Sequence, residues 1–237
     1  LALFSNIGGH TITALDRVKS RELLEDTVRQ RTQQLQSINQ SLQKEIKERT
    51  SAEQLQVALY RISELTASSS DMSSFYRSVH QVLSGLMHAD NCYIALLDND
   101  KAKLTFPFYL DQYSPPAQER PLSRGFTEYV IRCADARLIN TDTADQLVAA
   151  GEIKRGMADP MKPARYSTSW LGAPLLIDQQ VIGVIALQSY DQSDCYSEAE
   201  LNILRFVSQH IAVAIQRKLT TEQQKRHQEE LERKVFE

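Results

Sequence analysis

Three cysteines, Cys92, Cys133 and Cys195, and five histidines, His10, His80, His88, His210 and His227, carry the widest chemical repertoire in this chain. A catalytic thiol needs a base and an orienting acid, a zinc centre needs closely spaced ligands, and a disulfide framework needs an even count. The sequence offers none of these patterns, so no catalytic residue, metal ligand or cofactor is predicted. The cysteines read as buried structural thiols in a reducing, cytoplasmic setting. His10 and His210 fall on apolar stripes, where a helix-packing histidine is expected. A phospho-accepting histidine would be followed by an acidic residue and, soon after, proline. Here Ile211-Ala212-Val213-Ala214 follows His210.

The remaining chemistry is that of aromatic and cationic side chains around a hairpin. From Thr168 to Tyr190 two apolar stretches are joined at Asp178-Gln179-Gln180. Residues of both parities are apolar from Val181 to Leu187, as in a strand covered on both faces at the centre of a sheet. Ser197 and Glu200 have capping-box spacing, and Leu201, Leu204, Val207, Ile211, Ala214 and Ile215 form the stripe of a long helix. Upstream, Phe75, Val79, Leu83, Leu86 and Met87 mark a helix, and Cys92–Leu97 a strand. Leu104, Phe106, Phe108 and Leu110 alternate as a half-buried strand, which Pro107 places at a sheet edge. Tyr113–Pro121 reads as loop, Phe126–Cys133 as a short helix and Arg137–Asn140 as a short strand. Ala144–Ile153 reads as a further helix, and Gly156–Ser169 as a loop. All seven prolines lie between Pro107 and Pro174, and six of the eight glycines between Gly85 and Gly183. The flanks are free of breakers beyond Gly8 and Gly9, giving one globular domain between helical arms.

Trp170-Leu171-Gly172-Ala173-Pro174-Leu175, Val181-Ile182-Gly183-Val184, Leu187-Gln188-Ser189-Tyr190 and the run Phe206–Arg217 together resemble the end of a GAF domain, a ligand-sensing relative of the PAS fold. The resemblance implies an α+β fold with a central antiparallel sheet of about five or six strands and packed helices. In that family the pocket lies between the sheet and the segment running here from about Phe106 to Trp170. The implied lining is Phe108, Phe126, Tyr129 and Trp170, with Arg124 or Arg165 meeting an anion; alternatively these aromatics simply fill the core. Several departures narrow the ligand. The His beside a bilin-attachment Cys is missing at Cys133, and the Asn-Lys-Phe-Asp-Glu signature of cyclic-nucleotide binders is absent. Gln179 stands where the family often has Gly, so a longer or differently bent hairpin is expected.

The arms carry the other message. Leu1–Glu22 is self-similar to Leu201–Glu222, so Leu1–Arg17 is expected to close a preceding GAF-like domain, making this chain a fragment. Leu24-Glu25 and Val28 recur as Leu231-Glu232 and Val235, one heptad further on. Leu24, Val28, Leu35, Ile38, Leu42 and Ile46 form a dimer seam of a/d type, and Ala52, Leu55, Leu59 and Ile62 form a second run out of register with it. Gln30-Arg31-Thr32 and Glu48-Arg49-Thr50 resemble the Glu-Arg-Thr element of signalling helices. The expected organisation is residues 1–17 as that closing helix and 18–66 as a coiled-coil signalling helix leading into the domain. Residues 51–218 form the GAF domain, and 219–237 begin a second connector. The net charge of −3 offers no basic footprint for nucleic acid. No apolar run approaches the ~20 residues of a membrane span, so no membrane contact is expected here, although a parent protein has room for an anchor elsewhere.

The functional expectation is a non-enzymatic sensory and dimerisation module, a homodimer through a parallel coiled coil with a small-molecule ligand as a further partner. It would relay to a diguanylate cyclase, a cyclic-di-GMP phosphodiesterase or a histidine kinase of a bacterial two-component or cyclic-di-GMP system. The alternative is an enzyme on the same scaffold, such as a free methionine sulfoxide reductase.

Overall fold

The computed structural model describes residues 2–68, 71–98, 100, 103–113, 119–154, 167–193 and 195–235. Two compact units make up the chain, Leu1–Glu53 and Gln54–Glu237. The first unit is helix throughout its described residues, as part of α1 (Ala2–Ser68). From Leu24 to Glu53 every side chain is exposed. The seam residues are no exception, ranging from 52% exposed at Leu42 to 64% at Leu24. Ion pairs Arg21–Glu25 (2.9 Å), Lys44–Glu48 (3.8 Å) and Arg49–Glu53 (3.3 Å) lie on the helix surface. Each has its basic residue first, the weaker orientation, and is worth only a few tenths of a kcal/mol. Thr32 and Thr50 donate their hydroxyls to the carbonyls of Val28 and Ile46, each at 2.8 Å. Helical stability over such a length must come from packing of the apolar stripe.

The second unit holds a six-stranded sheet. In chain order, the last part of α1 is followed by α2 (Met72–Ser84), β1 (Asn91–Leu97), β2 (Lys103–Leu110), β3 (Arg120–Pro121) and α3 (Phe126–Cys133). Then come β4 (Arg137–Asn140), α4 (Thr141–Ala149), β5 (Ser169–Ile177), β6 (Gln180–Ser189) and α5 (Glu198–Val235). The strands are arranged β3-β2-β1-β6-β5-β4, every pair antiparallel. As the two-parity apolar pattern requires, β6 is central and covered on both faces. One face carries α2, α5 and the second apolar run of α1, where Ile62 and Ala58 are buried and Leu55 and Leu59 pack on the core. The opposite face gathers Tyr93, Ala95, Val130, Ile139, Trp170, Val184 and Ala186, with α3 and α4 contributing Val130 and Ala144. Asp71 and Asn140 cap α2 and α4, accepting N–H groups at 2.8 and 2.9 Å. At the start of α5, Glu200 accepts the Ser197 N–H at 2.8 Å, the expected capping-box bond. The whole predicted stripe of α5 is buried, but His210 is exposed, its ring 5.2 Å from that of Phe206.

Two local features differ from expectation. The β5–β6 hairpin is not longer: Ile177 pairs with Gln180, leaving the two-residue turn Asp178-Gln179. Both turn residues have positive φ, 47° and 63°, the mirror-image turn that matches strand twist. Asp tolerates this conformation, whereas Gln179 costs roughly 1–2 kcal/mol there. The second feature is in β2. Ile94 pairs with Phe108 but Leu96 with Thr105, so Phe106 and Pro107 together stand opposite Ala95. This bulge takes the proline, which has no N–H to give the ladder. A one-residue slip exchanges faces. Phe106 therefore lies with Trp170, while Phe108 crosses to the helical core beside His80, ring centroids 5.4 Å apart. Tyr109 takes its place.

Close approach explains two of the motif glycines. A Cβ on Gly172 would fall 2.1 Å from the Trp170 indole, and one on Gly183 would fall 2.3 Å from the Ala95 carbonyl oxygen. Both Gly172→Ala and Gly183→Ala should destabilise the domain by about 1–3 kcal/mol or more in urea unfolding. Gly183→Ala should be the worse, since it meets backbone and not a side chain. Wild-type midpoints for both variants would contradict these contacts.

Candidate ligand-binding cavity

A cavity of ≈ 300 Å³ opens on the Trp170 face of the sheet. Its walls come from Tyr93 on β1, Phe106 and Tyr109 on β2, Arg120 on β3, and Gly125, Phe126 and Thr127 at the start of α3. Ser167, Trp170, Gln188 and Tyr190 complete it. The strand period places Trp170 there with Gln188 as its cross-strand partner. Trp170 is 1% exposed, and its indole N–H donates to the Tyr93 hydroxyl at 3.2 Å. That hydroxyl also shares a 2.9 Å hydrogen bond with Thr127 Oγ. Burial, only partly offset by the Thr127 and Trp170 bonds, pushes the Tyr93 phenol up to about 12, so it stays neutral. Tyr93 and Tyr109 stack at 5.8 Å, and Phe126 meets Trp170 at 5.4 Å. At the rim, Asp111 accepts from Gln188 Nε2 and, at 2.7 Å, from the Tyr190 hydroxyl.

One wall is electrostatic. Glu128 is 3% exposed yet holds an ion pair with Arg120. Its Oε1 also accepts the Ser123 N–H and hydroxyl at 3.0 Å, and Oε2 the Gly125 N–H at 3.0 Å. Burial alone would raise the carboxyl pKa; the Arg120 hydrogen bond and charge, with the backbone N–H bonds, outweigh it and hold Glu128 below its ordinary value of 4.5. The Arg120 guanidinium lies over the Phe106 ring at 5.6 Å.

Of the residues expected at a ligand site, Phe126 and Trp170 line the cavity. Phe108 faces the other way because of the β2 bulge. Arg124 is exposed outside the lining, and Tyr129 sits behind it under Arg132, 5.8 Å from the ring. Arg165 lies outside the described residues. The cation in the wall is Arg120, for which the sequence carried one signal: Gly125 and Glu128 have the spacing of a helix start whose third residue reaches back.

Residues 69–216 match the family model described as GAF domain, more than half of the chain. The chain belongs to the GAF domain family. Solved GAF structures agree on the fold. A GAF domain of a phosphoenolpyruvate-protein phosphotransferase from Coxiella burnetii superposes with a TM-score of 0.56 at 14% identity, over 72% of this chain and 98% of that one. The equivalent domain from Acinetobacter gives 0.52 at 20% identity, covering 67% and 90%. Free methionine-R-sulfoxide reductase from Neisseria meningitidis, in complex with its substrate, gives 0.52 at 15% identity, covering 70% and 91%. No curated protein matches the chain. Among the described residues no helix is long and apolar enough to cross a membrane, and none of the His, Cys, Asp and Glu side chains cluster as metal ligands.

The buried carboxylate gives this GAF domain a pH signature. A lowered native pKa adds stability above the unfolded value of 4.5 that is lost as pH falls through the native one. Glu128→Gln should therefore cost about 1–3 kcal/mol at pH 7 and progressively less at pH 4 and below. Chemical denaturation across that range checks it; a pH-independent cost would show that the charge contributes nothing.

Proposed function

We propose that this GAF domain is a non-enzymatic sensory and dimerisation module, with the cavity over Trp170 as its ligand site and the coiled-coil arms as its relay. The observation that carries the reading is the exposed stripe Leu24, Val28, Leu35, Ile38, Leu42 and Ile46. Leu24, Val28, Leu35, Ile38 and Leu42 keep heptad spacing, with Arg31 at a d position and Ile46 one residue past the next. Such side chains leave water only against another helix. A second copy of the same chain supplies an identical stripe, which gives a parallel homodimer. From Leu55 to Ile62 the second run belongs to the GAF core, while its first residue, Ala52, is exposed. The phase slip between the two runs thus separates a stripe for the partner from a stripe for the domain. A parent protein with a diguanylate cyclase, cyclic-di-GMP phosphodiesterase or histidine kinase output fits this relay, in a cytoplasmic setting.

Exchanging Leu35 and Leu42 for Lys together should convert the dimer into monomers, since two charges per chain would face their copies across the seam. Light scattering at tens of micromolar reads the mass; a wild-type monomer would end the relay proposal.

The rival is an enzyme of the sulfoxide-reductase kind. The thiols favour the relay instead. Cys92 is buried on the helical face, where burial pushes its pKa up, and burial also raises Cys195. No cysteine stands among the cavity residues. A thiol-dependent reduction of free methionine sulfoxide is expected to be undetectable. Turnover abolished by replacing Cys92, Cys133 or Cys195 with Ser would make the enzyme reading the correct one.

A further inference from the structure

We infer that the cavity takes a small aromatic acid, its flat ring among the aromatic side chains and its carboxylate on Arg120. This rests on the cavity being a ligand site, as proposed above, and goes on to the charge and shape of the guest.

Charge follows from how the guanidinium is used. Among the described residues Arg120 makes three hydrogen bonds, each through Nη1: to Glu128, to Ser123 Oγ at 3.1 Å and to the Pro121 carbonyl at 3.3 Å. Its Nε and Nη2 edge has no acceptor among the described residues, although the side chain is 37% exposed and lines the cavity. That edge is a planar two-donor fork of the geometry that grips a carboxylate. The stack on Phe106 and the bond to Glu128 fix its plane in advance. Glu128 cannot attract a cation in competition, because both of its oxygens are occupied and it is 3% exposed. The rim carboxylate of Asp111 is hydrogen-bonded by Gln188 and Tyr190, neutral donors that leave its negative charge in place. A guest ammonium would meet its own sign of charge at the Arg120 fork, with the Asp111 carboxylate opposite in sign at the rim.

Shape follows from the walls. Tyr93 and Tyr109 lie within 22° of parallel, and Phe126 and Trp170 pack at 5.4 Å beneath. Flat ring faces favour a flat guest, which gains stacking that a puckered ring forgoes. At ≈ 300 Å³ the space is at the lower end for ligand sites and suits one or two rings.

Isothermal titration of the whole chain with four probes separates the possibilities. These are indole-3-carboxylate, its neutral carboxamide, cyclohexanecarboxylate and benzyltrimethylammonium. Indole-3-carboxylate should bind on the order of 10- to 100-fold more tightly than the carboxamide, the range of one charge-assisted contact, and more tightly than the puckered acid. In the double variant Arg120→Gln/Glu128→Gln, which leaves no orphaned charge, the acid-to-amide ratio should fall to about one. Arg120→Lys should keep part of it, the charge without the fork. A melting curve for each variant separates lost preference from lost fold. If the double variant unfolds, the Arg120→Lys ratio decides, and an unchanged ratio overturns the assignment. Tighter binding of the cation, or equal binding of acid and amide, overturns the acid while leaving a ligand site in place. Heat from none of the four overturns both.

Discussion

A carboxylate taken out of water costs several kcal/mol unless other groups replace its hydration, and Glu128 imposes that condition on its surroundings. Four donors from Arg120, Ser123 and Gly125 meet it. In doing so they hold the chain between β3 and α3, tie the helix start, and set the guanidinium against Phe106. A two-residue strand such as β3 has too few ladder bonds to stand alone. The side-chain network gives it a fixed place, and with it one wall of the cavity.

The other wall depends on packing. Trp170 spreads across Gly172, so β5 must lack a Cβ at that position. The indole N–H finds Tyr93, which in turn finds Thr127 on α3. This short chain of hydrogen bonds links β5, β1 and α3 through groups that are otherwise buried and polar. The sheet and the helical segment above it are thereby held at a fixed separation, which leaves space between them that side chains do not fill.

Much of the fold was legible. Val181–Leu187 announced a central strand because both parities are apolar, and the α5 stripe and the Ser197–Glu200 box were plain in periodicity and spacing. The β2 face was not legible past Pro107. Alternation predicts one face for Leu104, Phe106 and Phe108, and a period of two carries no mark of an inserted residue. Pro107 also fits an edge position, since β3 pairs only with Lys103 and Leu104. Gln179 is a poor residue for positive φ, which points the sequence away from a tight turn; nine paired positions along the two strands hold it there regardless. Arg120 escapes a reading by periodicity, because its partner is on another element. The out-of-register runs in α1 were visible in sequence, but their different surroundings required coordinates.

The bulge in β2 also bears on how such a domain could change by descent. Phe106 and Pro107 share one opposing residue, so β2 contains one more residue than its partner needs. Loss of a single codon there would remove the surplus without breaking the strand. Beyond the deletion, Phe108 would stay opposite Ile94 and Tyr109 opposite Tyr93, so each would keep the face it has now. Only the doubled position opposite Ala95 would change, left with Phe106 on the cavity face or, if Phe106 is the residue lost, with Pro107 in a regular ladder. A bulge of this kind lets one residue at the cavity wall be gained or lost while the rest of the strand keeps its partners and its faces.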